Sequence, residues 1–257
     1  MLMQRPRPQY NRHRARKGTG SGLWVASGPQ FTSPTQIAGL IGWYDFSDGG
    51  YVTTSGSDIT GVTDKSTTAA NLSDGGGTNK LQYGVVTQNG LNTASNSAAA
   101  SAYLKTASSA VFSASSFTIF IVAMTTGAVG QSKSIVGGQF TTTGAFATYR
   151  NNGTTRFQTF ENVGSAGANS GGGCINNTWN VLEMDAASGS GQTARYGVDT
   201  GSGSAGWPAR TLGGITIGSS GTDTILGAVG EVIIYNSRLS TTDRNKVQNW
   251  LKAKWAI

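Results

Sequence analysis

The sequence predicts an all-β fold, a sandwich of antiparallel strands that ends in one short α-helix. Short apolar or alternating runs recur at turn-sized intervals and are separated by Gly- and Ser-rich stretches, as in sandwiches. After the last run, Val247, Trp250, Leu251 and Trp255 recur at helical spacing. With 257 residues, the chain is long enough for one large domain of this class.

Apolar runs give the individual strands. Residues 116–126 (SFTIFIVAMTT) are apolar on both faces, which predicts a strand in the middle of a sheet. The pair Asn152–Gly153 inside residues 146–160 predicts a hairpin. Most of residues 55–77 is predicted to be loop. The other predicted strands are residues 40–46, 59–63, 133–138, 177–186, 193–201, 213–219 and 227–237.

The C-terminal helix has a recognisable beginning and an apolar face. Ser240 is a natural N-cap, and Asp243 three residues later approximates a capping box in a turn where negative charge is favoured. Trp250 and Trp255 are predicted to pack beneath a sheet. Four basic residues lie off the apolar stripe: Arg244, Lys246, Lys252 and Lys254.

The net charge of +7 is concentrated at the N-terminus, where six basic residues occur without an acid: Arg5, Arg7, Arg12, Arg14, Arg16 and Lys17. We therefore predict a basic, flexible arm over residues 1–22. A lead-in over residues 23–36 follows, in which Trp24 and Phe31 pack on the domain or on a partner. The folded domain is predicted over residues 37–257. The arm is expected to dock on other proteins, with nucleic-acid contact or a solvated tail as alternatives.

Five segments resemble, in this order, the motifs of concanavalin A-like, LamG-type jelly-roll domains: LIGWYDFSD, VTDKSTTAANLS, NGLNTASNSAAASAYLKT, SFTIFIVAMTT and GAVGEVIIYNSRLSTTDRNKVQNWLKAKW. Such domains often begin with a WYDASD-like strand and end with an A-E-V-I-I-Y-N-R-x-L-S strand and a short helix. The resemblance spans residues 37–257 and implies a lectin-like jelly roll closed by the helix. The chain departs from the family at residues 92–102 and 63–71, in loops where some members place calcium or sugar contacts.

Few residues are suited to catalysis, and we expect a protein that is not an enzyme. The single histidine, His13, lies in the predicted arm, so a hydrolase of the Ser-His or Cys-His type would lack a positioned base. The single cysteine, Cys174, excludes an intrachain disulfide. Glu183 and Asp185 reproduce only half of the E-x-D-x-E glycosidase pattern, whose third position is here Ala187, and are predicted to lie on a solvent-exposed strand face.

No cofactor is expected, and calcium is the one metal for which the loops offer oxygen ligands. These ligands have neither EF-hand nor nonapeptide spacing, so ordinary Asx turns are the alternative interpretation. The candidates are Asp45, Asp48, Asp58, Asp64 and Asp74.

Three functions remain after these exclusions. With no signal peptide, membrane span or disulfide, and with a basic arm, the leading hypothesis is a structural subunit of a tailed-phage virion, such as a capsid decoration, cement or fibre-associated protein. It would be made in the host cytoplasm, dock through the arm on other virion proteins of the capsid or tail, be multimeric in the particle and bind host glycans weakly. The alternatives are a carbohydrate-binding module of a cellular protein and a glycoside hydrolase. A sugar-binding module needs an exposed aromatic platform, for which the candidates are Tyr51, Tyr83, Tyr149 and Trp207.

Overall fold

The computed structural model describes most of the chain from residue 30 onwards. The described residues are 30–96, 101–108, 111–126, 133–140, 145–150, 156–161, 168–173, 177–187, 192–196, 211–219 and 227–257. Every helix and strand reported below lies in the compact unit Phe31–Ile257. Within the described ranges, no helix has both the length and the apolar character needed to cross a bilayer.

Antiparallel strands make up most of this unit. Short 3-10 turns occur at Pro34–Gln36 and Gly49–Tyr51, and one α-helix, α1, spans Thr241–Trp255. The strands are β1 (Leu40–Asp45), β2 (Val52–Ser55), β3 (Asp58–Val62), β4 (Leu72–Asp74), β5 (Gln82–Gln88), β6 (Leu91–Asn96), β7 (Ala102–Thr106), β8 (Ser116–Thr125), β9 (Lys133–Phe140), β10 (Ala145–Arg150), β11 (Arg156–Glu161), β12 (Ala168–Gly173), β13 (Trp179–Ala187), β14 (Gln192–Tyr196), β15 (Leu212–Ser219) and β16 (Gly227–Tyr235).

The strands form one continuous, curled sheet. Its order is β12-β11-β10-β9-β15-β7-β4-β3-β5-β6-β16-β8-β13-β14, with β1 beside β16 and β2 beside β3. The curl brings β12, at one end of this order, close to β14 at the other end. The predicted fold class, an antiparallel jelly-roll sandwich with a C-terminal helix, is confirmed.

Strand β8 is buried on both faces, as its apolar sequence predicts. Because side chains alternate along a strand, Phe117, Ile119 and Ile121 enter the core between the two layers, which we call the interior core. Phe120 and Val122 enter a second core beneath α1, which we call the helix-side core. β8 lies between β16 and β13, so it is paired with another strand on both sides.

The sequence analysis missed one hairpin, formed by β5 and β6. Asn89 and Gly90 connect these strands with φ angles of 52° and 72°. This left-handed backbone is the one that an Asn-Gly hairpin turn requires. Residues 55–77, predicted to be mostly loop, contain β3, where a strand was predicted at residues 59–63, and β4, which was not predicted; the two strands are short and pair with each other.

Helix α1 begins as predicted. The Ser240 hydroxyl accepts a hydrogen bond from the Asp243 backbone N–H at 3.1 Å, which satisfies one of the free donors of the first turn. Val247, Leu251 and Trp255 are buried in the helix-side core, and Trp250 is partly buried. The Trp250 ring meets the Trp43 ring edge-on at 6.1 Å.

The position of the Trp255 ring explains why residue 230, in the apolar strand β16, is a glycine. A Cβ at Gly230 would lie 2.7 Å from the Trp255 ring, too close for any side chain. The Trp255 ring also stacks on Trp179 at 6.1 Å. The C-terminal turn of the helix therefore rests directly on the backbone of the sheet.

We expect Trp255→Ala to lower the free energy of unfolding by about 3–5 kcal/mol, as large aromatic truncations in cores do. Trp250→Ala is the matched comparison and should cost less, about 1–2 kcal/mol, because Trp250 is only partly buried. Denaturant unfolding of the two variants measures both values. Equal losses would contradict the packing described for the end of the helix.

Candidate functional site

The sheet face beneath α1 carries four buried carboxylates. Asp45 on β1 and Glu231 on β16 are paired across neighbouring strands, and Glu183 and Asp185 lie two residues apart on β13. Buried charges are costly unless they are paired and hydrogen-bonded. The helix and the neighbouring loops provide those partners.

Glu231 joins β1, β16 and α1 through three hydrogen bonds. Its Oε1 accepts from the Trp43 indole N–H at 2.6 Å, and its Oε2 accepts from the Trp255 indole N–H and from Lys254 Nζ, both at 2.8 Å. Burial raises the pKa of Glu231, and the neighbouring Asp45 raises it further. Indole and ammonium groups can only donate, so all three contacts favour the ionised carboxylate.

A chain of ion pairs leads from this buried group to the surface. Lys254 Nζ lies 2.8 Å from Asp45 Oδ1, and Lys65 Nζ lies 3.0 Å from Asp45 Oδ2 and 3.0 Å from Asp48 Oδ2. Burial alone would raise the pKa of Asp45, but Lys254, Ser47 and Lys65 together lower it. The chain ends at the Asp48 side chain, which is 42% exposed.

Tyr51 stands beside the outer end of this chain. Tyr51 is 37% exposed, and Lys65 Nζ lies over its ring, 4.8 Å from the ring centroid and 4.6 Å from that of Trp43. Asp48 caps the short turn that carries Tyr51: its Oδ1 accepts the Gly50 N–H at 3.2 Å, and its carbonyl accepts the Tyr51 N–H at 3.0 Å. We call Asp48, Tyr51 and Lys65 the Tyr51 site.

The loop at residues 64–71 holds Lys65 in place. Asp64 accepts the backbone N–H groups of Trp43 and Ser66 at 2.8 Å and of Ala70 at 3.0 Å, together with the Ser66 hydroxyl at 2.7 Å. The Lys65 N–H donates to the Trp43 carbonyl at 2.9 Å. A pocket of about 210 Å3 borders this loop and is lined by Thr35, residues 37–40 and residues 65–67.

Four of the five aspartates considered for calcium, all except Asp58, have protein partners among the described residues. Asp64 is occupied by the N–H and O–H donors of its loop, and Asp74 is paired with Lys80. Asp58 begins β3. In the part of the chain that the structure describes, no three acidic, histidine or cysteine side chains converge as metal ligands.

The prediction that Glu183 and Asp185 lie on a solvent-exposed face is wrong, because α1 and β14 cover that face. The two residues are 0% and 1% exposed. Arg195 Nη1 contacts both carboxylates, and Gln248 from α1 donates to Glu183 Oε2 at 2.5 Å. Arg244 Nε lies 3.3 Å from Glu183 Oε1. The pair is an enclosed ion-pair cluster without an open face for a glycan.

The predicted docking residues are mostly outside the described ranges. Phe31 is partly buried against the helix-side core of its own domain. Of the platform candidates, Tyr51 is exposed and Tyr83 packs, partly buried, against the interior core. Tyr149 lies on β10. The residues outside the described ranges are Arg5, Arg7, Arg12, Arg14, Arg16, Lys17, Trp24 and Trp207.

The roles of Asp48, Lys65 and Glu231 were not anticipated. One signal was available in the sequence. Asp45 ends one strongly apolar strand and Glu231 interrupts another, and a charged side chain in such a strand needs a buried partner. The identity of that partner could not be deduced, because Trp43 and Glu231 are 188 residues apart.

Comparison with solved structures finds proteins with a similar fold at low sequence identity. No protein-family model matches the sequence, and no curated protein matches it. A Trypanosoma rangeli sialidase in complex with 2,3-difluorosialic acid is 12% identical, with a TM-score of 0.55 over 84% of this chain and 35% of that one. An arabinofuranosidase complexed with arabinofuranosyl-alpha-1,2-xylobiose is 14% identical, with a TM-score of 0.54 over 77% of this chain and 51% of that one.

These matches correct one prediction. The expectation that the chain is not an enzyme is contradicted, because sialidases and an arabinofuranosidase share its fold. The chain spans about a third of the length of the sialidases and about half of the arabinofuranosidase. At identities of 9–14%, the similarity establishes the fold alone.

We expect Glu183 to contribute to the pH dependence of stability. Burial raises its pKa above the ordinary value of 4.5, against the opposing effect of Arg195 and Arg244. The folded state therefore keeps a proton that the unfolded chain has lost, so the free energy of unfolding falls as the pH rises above about 4.5 towards the raised pKa. Glu183→Gln should reduce this fall, as measured by urea unfolding at a series of pH values.

Asp74→Asn is the control for this experiment. Lys80 outweighs the effect of burial and lowers the pKa of Asp74, so its titration acts at lower pH and the wild-type slope above about pH 4.5 should remain. Identical slopes in the wild type and Glu183→Gln would show that Glu183 does not titrate differently in the folded and unfolded states.

Proposed function

We propose that this chain is a carbohydrate-recognising domain that binds glycans at the Tyr51 site. One observation carries the proposal: an exposed aromatic ring stands beside an ammonium group and a half-exposed carboxylate, both held in fixed positions. The Lys65 ammonium is 4.8 Å from the Tyr51 ring centroid and 3.0 Å from Asp48 Oδ2.

The chemistry of this arrangement is complementary to a sugar ring. A pyranose or furanose presents C–H groups on its faces and hydroxyl groups around its edge. The flat tyrosine ring offers apolar area to the C–H face at low entropic cost. Asp48 accepts hydrogen bonds from hydroxyl groups and Lys65 donates to them, and hydrogen bonds to charged groups are the stronger kind.

The site is organised before any ligand binds. The ammonium of Lys65 is positioned by Asp45 and Asp48, Asp45 is also held by Lys254, and Lys254 is held by Glu231. A ligand therefore does not have to order these side chains, and ordering costs are a main reason that small contact areas give weak binding.

The structural comparisons support carbohydrate recognition without identifying a reaction. Both solved structures are complexes with carbohydrate ligands, 2,3-difluorosialic acid in one and arabinofuranosyl-alpha-1,2-xylobiose in the other. The chain corresponds to only part of each protein. Function depends on the residues of a site rather than on the fold, so the proposal rests on the Tyr51 site itself.

The virion hypothesis has less support. It depends on composition and on the basic arm, and the arm lies outside the described residues. The solved structures reported above are carbohydrate-active enzymes, which lends the virion hypothesis no support. Carbohydrate recognition, which the sequence offered as the alternative, therefore takes precedence.

We expect Tyr51→Ala to lower glycan affinity by on the order of tenfold, the effect of losing a central aromatic anchor. The full chain is first tested against a printed array of oligosaccharides, and the strongest ligand is then measured by titration calorimetry. Tyr51→Phe should retain most of the affinity, because the ring and not the hydroxyl contacts the sugar face.

Val85→Ala is the matched control. Val85 is the other large apolar side chain exposed in the described part of the chain, and its loss should leave affinity unchanged. Equal affinities for the wild type and Tyr51→Ala, with equal melting temperatures, would overturn the proposal. Release of reducing sugar by the wild type but not by Tyr51→Ala would extend the proposed function to hydrolysis at the same site.

A further inference from the structure

The ion pairs around the Tyr51 site leave an excess of negative charge. Lys65 and Lys254 are the two ammonium groups of this network in the described part of the chain. The loop that carries Lys65 adds a further carboxylate, which accepts only neutral donors. The four carboxylates are Asp45, Asp48, Asp64 and Glu231.

Lys65 is therefore a poor receptor for an anion. A lysine ammonium has three donors, and two of them are directed at Asp45 and Asp48. An anionic ligand that paired with Lys65 would have to displace Asp48 or approach it closely. The third donor has no carboxylate partner in the described ranges, and it belongs to an ammonium that lies over the Trp43 and Tyr51 rings on a side chain that is 15% exposed.

We infer that the Tyr51 site selects uncharged sugars and that Asp48 is the residue that excludes acidic ones. This inference rests on the proposed function, because it names the ligand class of the same site. Asp48 is the exposed acid of the network, at 42%, whereas the Asp45 and Glu231 side chains are 5% and 0% exposed. It is therefore the carboxylate that a bound ligand meets first.

Asp48 has two effects on a ligand at the ring of Tyr51. Its free lone pairs accept hydrogen bonds from hydroxyl groups, which every neutral sugar offers. Its charge repels a carboxylate or sulfate on the ligand. At a separation of about 6 Å near a protein surface, and with the screening of physiological salt, this repulsion changes affinity on the order of tenfold. Selectivity thus arises from an attractive and a repulsive element in one side chain.

The test compares the affinities of the full chain for matched pairs of glycans. The probes are neutral oligosaccharides and the same oligosaccharides carrying one added sulfate or carboxylate. We expect the wild type to bind the neutral member of each pair about tenfold more tightly at physiological salt. Asp48→Asn should bring the two affinities close together, and salt near 1 M, which shortens the screening length to about 3 Å, should do the same for the wild type.

Two control variants show whether the preference for neutral glycans arises at the Tyr51 site or elsewhere on the chain. Asp74→Asn removes a carboxylate of similar exposure that is also paired with a lysine, Lys80, and it should leave the preference unchanged. Tyr51→Ala distinguishes binding at the Tyr51 site from attraction of acidic glycans to the basic residues 5–17. Binding that persists in Tyr51→Ala is assigned to another part of the chain and is subtracted.

The outcomes distinguish the two proposals. If Tyr51→Ala changes the affinity for none of the glycans, the proposed function is overturned, and the inference is overturned too because it rests on that function. Binding that depends on Tyr51 and favours the acidic member of each pair leaves the proposed function in place and overturns the inference. A preference for neutral glycans that Asp48→Asn does not change overturns the assignment to Asp48.

Discussion

The buried carboxylate of Glu231 is the constraint on which the rest of the arrangement depends. It receives the indole N–H of Trp43 from β1, the indole N–H of Trp255 from α1 and the ammonium of Lys254. Breaking such a group away from its partners leaves an uncompensated charge in the core, which typically costs about 3–5 kcal/mol. The helix is therefore fixed to the sheet by polar contacts of defined geometry as well as by apolar packing.

The same contacts connect the helix to the surface site. Lys254 forms ion pairs with both Glu231 and Asp45. Lys65 in turn forms ion pairs with both Asp45 and Asp48. Each ammonium bridges two carboxylates, so the position of the exposed acid is set by groups that lie beneath the helix. A rigid sandwich that presents a few polar groups on short turns is a common way for a fold to carry a binding site.

Features determined by neighbouring residues could be predicted from the sequence, and features determined by distant contacts could not. The Ser240 cap and the two-sided burial of β8 follow from local chemistry and from alternation along the strand. The exposure of Glu183 was predicted wrongly, because the arginines that neutralise it come from β14 and α1. Lys254 lies off the apolar stripe in sequence, yet its partners are buried carboxylates. Non-local ion pairs leave no periodic pattern in a sequence.

The structure of the full chain with a bound neutral oligosaccharide would test the central claim most directly. The account predicts a sugar ring lying against Tyr51, with a hydroxyl donating to an Asp48 carboxylate oxygen and another accepting from Lys65 Nζ. The contacts of Glu231 with Trp43, Trp255 and Lys254 should be the same with and without ligand. A ligand bound elsewhere on the sandwich, with Tyr51 uncontacted, would contradict the account.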